Sequence, residues 1–248
     1  MPNGGVPFYM RMDSATVNSA SLGDNGITDV WVEVNKDNIG AYELPCNYPV
    51  LAEQGTVRFV VSAGIYESGQ GGVRVQYPFF EPDTFSISAT APNQYVHHPA
   101  FKYKPAAFFA AEENFEAGNG FDTNMEKVYG TSNFYGQLTV NATDSSMEAV
   151  YTTKKALPAG QEIWLEFDYK AEVPFYSGFY ATYGSTNVVK YPILFVTPKN
   201  SWSKMYLKLS NYVGTVRADS YNVYFEALRP YTTAGGNVYI DNVKLVHF

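Results

Sequence analysis

The chain has 248 residues, a formal net charge of −7, an aromatic content of 17% and a single cysteine. The acidic balance, with no cluster of Lys and Arg, argues against nucleic acid as a partner. One cysteine excludes an intrachain disulfide, and no apolar run of about 20 residues is present to form a transmembrane helix. The many Tyr and Phe residues favour sheets, where aromatic side chains pack on pleated surfaces.

Short runs of alternating apolar and polar residues predict strands in the first part of the chain. Ile27–Val34 places Trp31 on one side and its valines on the other, and Thr56–Ala63 alternates in the same way. The turn-forming residues of Ala89–Pro105 then predict a domain boundary, because Pro cannot continue a central strand. The sequence therefore predicts a small Ig-like β-sandwich over residues 1–95 and a second domain over residues 96–248.

The predicted boundary region carries two further features. Ala106–Asn114 is the one segment whose composition favours a short helix. His97 and His98 are adjacent, and neighbouring side chains on an extended chain point in opposite directions. The histidine pair is therefore interpreted as part of a solvated linker rather than as a metal site. Cys46 is interpreted as a small buried apolar residue rather than as a reactive thiol.

Strands without intervening helices continue in the second part, which predicts an all-β protein ending in a jelly-roll β-sandwich. The alternating segments are Glu162–Glu172, Ser203–Tyr212 and Tyr221–Leu228. In each segment the aliphatic residues and phenylalanines share one face, which predicts that this face is turned to the core.

The opposite face of the same strands is the predicted ligand-binding surface. It carries Trp164, Glu166, Asp168, Tyr206, Tyr224 and Glu226. Sugars stack their C–H faces on aromatic rings, and their hydroxyl groups form hydrogen bonds with charged side chains. The competing interpretation is ordinary packing of this face beneath a loop over Glu172–Thr186 or against the first domain. The same loop could form an aromatic rim from Tyr176, Phe179, Tyr180 and Tyr183.

Catalysis has little support in the sequence. Glu166 and Asp168 lie two residues apart on one strand, about 7 Å, which falls in the range that glycosidases use. Alternating acidic residues on a strand are usually solvated, however, and no Gly-x-Ser-x-Gly motif is present. The sequence therefore predicts a protein without catalytic residues.

Asn237–Phe248 and Asn114–Glu116 resemble the end and the start of a carbohydrate-binding jelly roll. The resemblance implies that one acidic residue from each stretch, Glu116 and Asp241, holds a structural calcium ion. Backbone carbonyls, the turn at residues 118–120 and Asp122 would complete the six to eight oxygen ligands of calcium. The alternative is a strand-end Asp-Asn pair that forms hydrogen bonds to its own turn.

The motifs Ile27–Val32, Ile39–Pro45, Trp164–Lys170 and Tyr239–Leu245 closely resemble an uncharacterised family of surface lipoproteins from gut Bacteroidetes. This resemblance implies an Ig-like domain followed by a jelly roll, exported to the outer-membrane surface, where it binds a polysaccharide or other glycan without catalysis. The alternative is a structural or adhesive surface protein with no sugar ligand. The family anchor would be an N-terminal cysteine, whereas Cys46 is internal. Either the lipidated segment is absent from this chain or the protein is not anchored in that way.

Overall fold

The computed structural model describes residues 6–51, 55–69, 71–230 and 234–248. Strands dominate the described chain, which confirms the predicted all-β class. The chain forms two compact units, one made of residues up to Ser19 with Asn25–Ala106, the other of Ala20–Asp24 with Ala107–Phe248. None of the helices in the described ranges is long and apolar enough to span a membrane.

Within the described residues, the first unit has eleven strands and one turn of 3-10 helix at Glu67–Gly69. The strands are β1 (Phe8–Met12), β2 (Thr16–Val17), β3 (Ile27–Val34), β4 (Asp37–Glu43), β5 (Cys46–Val50), β6 (Gly55–Tyr66), β7 (Arg74–Gln76), β8 (Phe80–Glu81), β9 (Asp83–Ala89), β10 (Gln94–Val96) and β11 (Ala100–Tyr103).

The first unit contains one five-stranded sheet and two three-stranded sheets. In the larger sheet the order is β4-β3-β6-β7, and β9 also pairs with β6. The smaller sheets have the orders β10-β1-β5 and β2-β11-β8, with parallel pairing of β1 to β10 and of β2 to β11. These last pairings keep residues 94–103 in the first unit, so the chain divides after Ala106 rather than after residue 95. The Ig-like assignment of this unit stays a prediction.

Ten strands and one helix form the second unit within the described residues. They are β12 (Phe108–Glu113), β13 (Met125–Tyr129), β14 (Phe134–Val140), β15 (Ser146–Val150), β16 (Ile163–Ala171), β17 (Phe175–Tyr183), β18 (Asn187–Val196), β19 (Lys199–Lys208), α1 (Ser210–Val216), β20 (Ser220–Leu228) and β21 (Gly236–His247).

The second unit is a sandwich of two antiparallel sheets with the predicted jelly-roll architecture. One sheet has the order β13-β14-β21-β16-β19, with β12 also pairing with β21, and the other has the order β15-β20-β17-β18. Phe167, Phe175 and Phe225 meet edge to face in the core between the sheets, with ring centroids 5.0–6.4 Å apart. Edge-to-face packing suits the quadrupoles of aromatic rings, so these contacts add to the stabilisation from apolar burial.

Three local predictions in this unit are wrong. The segment expected to form a helix is β12, because pairing with β21 from Phe108 to Glu113 outweighs its helix propensity. The helix of the unit is α1, which interrupts the strand predicted through Tyr212. The predicted loop over Glu172–Thr186 contains β17, which lies between β18 and β20 in the four-stranded sheet.

A bulge in β21 shapes the outer side of the six-stranded sheet. Glu166 pairs with Lys244 and Asp168 with Asp241, so β21 has one more residue than β16 in this interval. Asn242 has a φ of 47°, a left-handed conformation that Asn adopts more readily than most residues. The bulge allows the Asn242 Nδ2 atom to donate to Asp168 Oδ2 over 2.9 Å.

Candidate functional site

The six predicted ligand-binding residues lie on the non-core sides of two different sheets. Ile163, Leu165 and Phe167 are part of the core, as the alternation predicted. Trp164, Glu166, Asp168 and Tyr206 are on the outer face of the six-stranded sheet, and Tyr224 and Glu226 are on the outer face of the four-stranded sheet. The structure therefore does not bring the six residues into one site.

The four residues on the six-stranded sheet do not form an open surface. Trp164 is 1% exposed, Glu166 and Asp168 are 0% exposed, and Tyr206 is 4% exposed. The prediction of a sugar-stacking surface at Trp164 is therefore corrected, because an enclosed indole cannot present its ring face to a ligand. Its Nε1 atom donates to Glu162 Oε2 over 2.8 Å. Alternation along a strand predicted which way these side chains point, but it carries no information on what covers them.

Asp168 binds its own chain rather than solvent. Its Oδ2 atom accepts hydrogen bonds from the Leu22 backbone N–H at 2.7 Å and from Asn242 Nδ2 at 2.9 Å. The Lys204 ammonium lies 3.3 Å from Oδ1, and the Ser21 hydroxyl also donates to Oδ1 over 3.4 Å. This carboxylate therefore holds residues 20–24, β19 and the β21 bulge together. Burial and the charges of Glu166 and Asp168 raise the pKa of the neighbouring Tyr206 well above its usual value.

The predicted calcium ligands are close to each other but already have hydrogen-bond donors. Glu116 Oε1 accepts the Phe134 N–H at 2.9 Å, while Asp241 accepts from the Asn242 N–H at 2.7 Å and from Asn133 Nδ2 at 2.9 Å. Negative charge here would suit a cation. Within the described ranges, however, no group of three or more His, Cys, Asp or Glu side chains could hold a metal ion. Calcium therefore stays a prediction of the resemblance.

Asp241 predicts a pH dependence of stability. Burial, followed by the charges of Asp168 and Glu116, raises the pKa of Asp241 from 3.8 to about 7, although the Asn242 N–H and Lys204 act against the rise. Between these two pKa values the folded state thus binds more protons than the unfolded state. The stability that comes from the protonated Asp241 carboxyl is therefore fully present below pH 3.8 and is lost as the pH rises through about 7.

Thermal melts of the protein and of the Asp241→Asn variant from pH 5 to pH 8 test this expectation. The melting temperature of the unaltered chain should fall more steeply with pH than that of the variant. If calcium binds at Glu116 and Asp241, as the resemblance implies, adding it at pH 8 should raise the melting temperature, and a chelator should lower it again. Parallel curves for the two proteins would show that Asp241 does not titrate in this range.

A second group of polar and aromatic side chains lies on the outer face of the four-stranded sheet. This Lys190 face consists of Glu148, Tyr176, Tyr180, Lys190, Tyr224 and Glu226. Cross-strand pairing sets their positions: Glu148 lies opposite Glu226, Glu226 opposite Tyr176, and Tyr180 opposite Lys190. Four strands therefore contribute to one surface, and two of the predicted residues belong to it.

Lys190 is at the centre of this face. Its Nζ atom lies 2.5 Å from Glu148 Oε2 and 2.7 Å from Glu226 Oε2. The same atom lies 4.6 Å from the Tyr224 ring centroid and 5.9 Å from that of Tyr180, within the range of cation–π attraction. Burial alone would lower the pKa of Lys190, but the hydrogen bonds and charges of the two glutamates outweigh it and raise the pKa. The ammonium is thus held at a fixed point above the sheet.

The two tyrosines differ in their hydroxyl groups. Tyr180 donates to Glu148 Oε1 over 2.7 Å, and burial together with this carboxylate raises its pKa to about 12. Tyr224 is 0% exposed, and its hydroxyl has no hydrogen-bond partner within the described residues. A side chain at Gly178 would clash here, because a Cβ would lie 2.1 Å from the Tyr191 carbonyl oxygen and 3.0 Å from Tyr224 Cε1. Gly178 thus makes room for the Tyr224 ring.

The Lys190 face carries groups of the kinds that contact polyhydroxylated ligands. Half-buried Tyr176 and Tyr180 rings offer apolar surface, and Lys190 and Glu226 offer a donor and an acceptor side by side. The sequence interpretation missed Glu148 and Lys190 because β15 and β18 were not recognised as strands. Alternation is weak in Ser146–Val150 and Asn187–Val196, so the sequence offered little signal for these two side chains.

Only one residue of the histidine pair departs from the predicted solvated linker, since His98 is exposed and His97 is partly buried. His97 Nε2 lies 2.8 Å from Asp83 Oδ2, and the His97 ring stacks on Phe85 with centroids 3.6 Å apart. His97 is therefore part of the packing of the first unit. Cys46 is a free thiol that is partly exposed rather than fully buried.

No protein-family model and no curated protein matches the chain. Among solved structures, it is similar to the enzymatically active domain of tailspike protein 4 from bacteriophage CBA120, with 13% identity, 62% of this chain and 24% of that chain covered, and a TM-score of 0.45. A family 29 carbohydrate-binding module is 12% identical over 57% of this chain and 88% of its own, with a TM-score of 0.37. The family 11 carbohydrate-binding module of Clostridium thermocellum, solved with a mixed-linked tetrasaccharide, is 17% identical over 56% of this chain and 86% of its own, with a TM-score of 0.35. The chain thus spans about a quarter of the tailspike chain.

Proposed function

We propose that this protein binds a glycan without catalysis and that the Lys190 face of its second unit contacts the sugar. The observation that carries the proposal is the fixed ammonium of Lys190 between Glu148 and Glu226, above two tyrosine rings. Charged groups that already hold one another in position lose little side-chain entropy when they bind a ligand. Such a surface favours a rigid polyhydroxylated ligand such as a pyranose chain.

The contacts available to a sugar follow from the hydrogen-bond donors and acceptors that the internal contacts of the Lys190 face leave unused. Lys190 has three ammonium protons, and its two carboxylate partners leave one for a sugar hydroxyl. Glu226 uses Oε2 for Lys190, so Oε1 can accept from a neighbouring hydroxyl. A sugar ring spanning both groups would place its C–H face near Tyr180. The three charged groups sum to one negative charge, which favours neutral sugars over acidic ones.

A non-catalytic role is the simplest account of the acidic residues. Glu166 and Asp168 are fully buried, and Glu148 and Glu226 share one ammonium rather than flanking a site for water. The wider context follows from the sequence resemblance. We propose a cell-surface accessory protein that is held at the outer membrane by an N-terminal lipid, with the first unit acting as a spacer.

A glycan array probed with the whole chain, followed by calorimetry on the best oligosaccharide, tests the proposal. Tyr180→Ala and Lys190→Met should each weaken binding at least roughly tenfold, since they remove the stacking surface and the central donor. Tyr212→Ala is the matched control, because Tyr212 lies on α1 and is 43% exposed.

Melting temperatures of all three variants should be measured alongside binding. Equal losses in the Tyr180 and Tyr212 variants would place the sugar elsewhere. An array without any bound glycan would reject the proposed function and favour the structural or adhesive alternative.

A further inference from the structure

The outer face of the six-stranded sheet carries a second aromatic surface, separate from the enclosed Trp164. This Trp202 patch consists of Tyr135, Lys170, Glu172, Trp202, Asn237 and Tyr239. They come from β14, β16, β19 and β21 and the residue that follows β16. Trp202 and both tyrosines are half-buried, so each ring keeps part of its surface open to solvent.

The rings of the patch contact each other edge to face. The ring centroid of Tyr135 lies 5.6 Å from that of Trp202, with an angle of 63° between the ring planes. It also lies 5.6 Å from the ring centroid of Tyr239, with an interplanar angle of 89°. The Lys170 ammonium lies 5.3 Å from the Tyr239 ring centroid. Edge-to-face contacts fix the orientation of aromatic rings while leaving part of each face free for a ligand.

Hydrogen bonds hold the polar rim in place. Glu172 Oε1 accepts from the Tyr239 hydroxyl at 2.9 Å, and Oε2 accepts from the Asn237 N–H at 3.0 Å and from Asn237 Nδ2 at 2.9 Å. Burial alone would raise the pKa of Glu172, but these hydrogen bonds and the charge of Lys170 outweigh it and leave the pKa below its usual value, so the group is ionised at neutral pH.

We infer that the Trp202 patch is a second carbohydrate-binding surface, which takes a neutral glycan chain on the sheet opposite the Lys190 face. Lys170 and Glu172 cancel in charge, so the patch gives no electrostatic preference to an anion or a cation. A pre-ordered set of half-buried rings with hydrogen-bonding groups at its edge fits the alternating C–H faces and hydroxyls of a sugar chain.

A protein partner fits this surface less well. The centre of a protein interface is depleted in charged residues, whereas Lys170 and Glu172 adjoin the central Tyr239 ring. The inference rests on the proposed function for its ligand class, and it adds that one molecule contacts two glycan chains. Because the two surfaces lie on opposite sheets of one sandwich, both can be occupied at once.

Calorimetry of the whole chain with cellohexaose, mannohexaose, xylohexaose and oligogalacturonate tests the inference. Trp202→Ala, Tyr180→Ala and the double variant are compared with Tyr129→Ala, a control that alters a 61% exposed tyrosine on β13. The unaltered chain should bind two molecules of a neutral hexasaccharide. Trp202→Ala should weaken one of the two sites at least roughly tenfold. The unaltered chain should also cross-link the parent polysaccharide into a turbid suspension, which either single variant should prevent.

The outcomes separate the two proposals. One site per chain, lost in Tyr180→Ala and unchanged in Trp202→Ala, would overturn the inference and keep the proposed function. One site lost only in Trp202→Ala would support this surface and displace the Lys190 face. Preference for oligogalacturonate would overturn the neutral ligand class, and absence of binding to every oligosaccharide would overturn both proposals.

Discussion

Replacing Asp168 by Ala is expected to lower the free energy of unfolding of the second unit by roughly 3–5 kcal/mol, the usual cost of removing one partner of a buried ion pair. The carboxylate is fully buried and accepts from Leu22 and Asn242, so its loss leaves these donors without an acceptor. The Lys204 side chain is only 4% exposed and would keep Glu166, at 3.9 Å, as its ionic partner. Urea denaturation followed by tryptophan fluorescence measures the change.

Two further variants separate charge from shape at this position. Asp168→Asn keeps one acceptor oxygen and should cost less than Asp168→Ala. Adding Lys204→Met to Asp168→Ala removes the buried ammonium, so the double variant should be more stable than the sum of the single changes predicts. Strict additivity of the two substitutions would mean that Lys204 and Asp168 do not interact in the folded state.

Trp164→Ala is expected to cost about 3–5 kcal/mol of stability, in line with other large-to-small changes in protein interiors. Trp164 is fully enclosed and its indole is held by Glu162. Trp202→Ala is the matched comparison, because the same substitution at a half-buried ring should cost much less. Denaturation midpoints of the two variants, measured side by side, give the difference.

Binding data complete this comparison. In the folded Trp164→Ala protein, glycan affinity should remain close to that of the unaltered chain. A variant of normal stability with lost affinity would restore Trp164 as a sugar-contacting residue.

The strands of the second unit could be predicted from sequence because alternation is a local property. Ile163, Leu165 and Phe167 face the core as their spacing indicates. Exposure is not local. The backbone N–H of Leu22 donates to Asp168 across a sequence separation of 146 residues, and no residue pattern around Asp168 predicts this contact.

The Lys190 face shows a second limit of local patterns. Lys190 and Glu148 belong to β18 and β15, the two edges of their sheet, where exposure weakens the alternation of apolar and polar residues. Their ion pair is evident only when the strand order places β20 and β17 between them. Trp164 and Trp202 lie on the outer face of the same sheet and differ in what surrounds them, so alternation alone could not show that Trp164 is enclosed.

Residues 20–24 make the second unit discontinuous in sequence, because they leave the first unit and supply the Leu22 N–H to Asp168. Gly23 lies so close to β19 that a Cβ would be 2.4 Å from the Trp202 carbonyl oxygen. A gene fragment encoding only residues 107–248 would omit this segment and leave a buried carboxylate without one of its donors. The jelly roll is therefore poorly suited to recombination as an independent cassette, and any exchange between related proteins has to carry both units together.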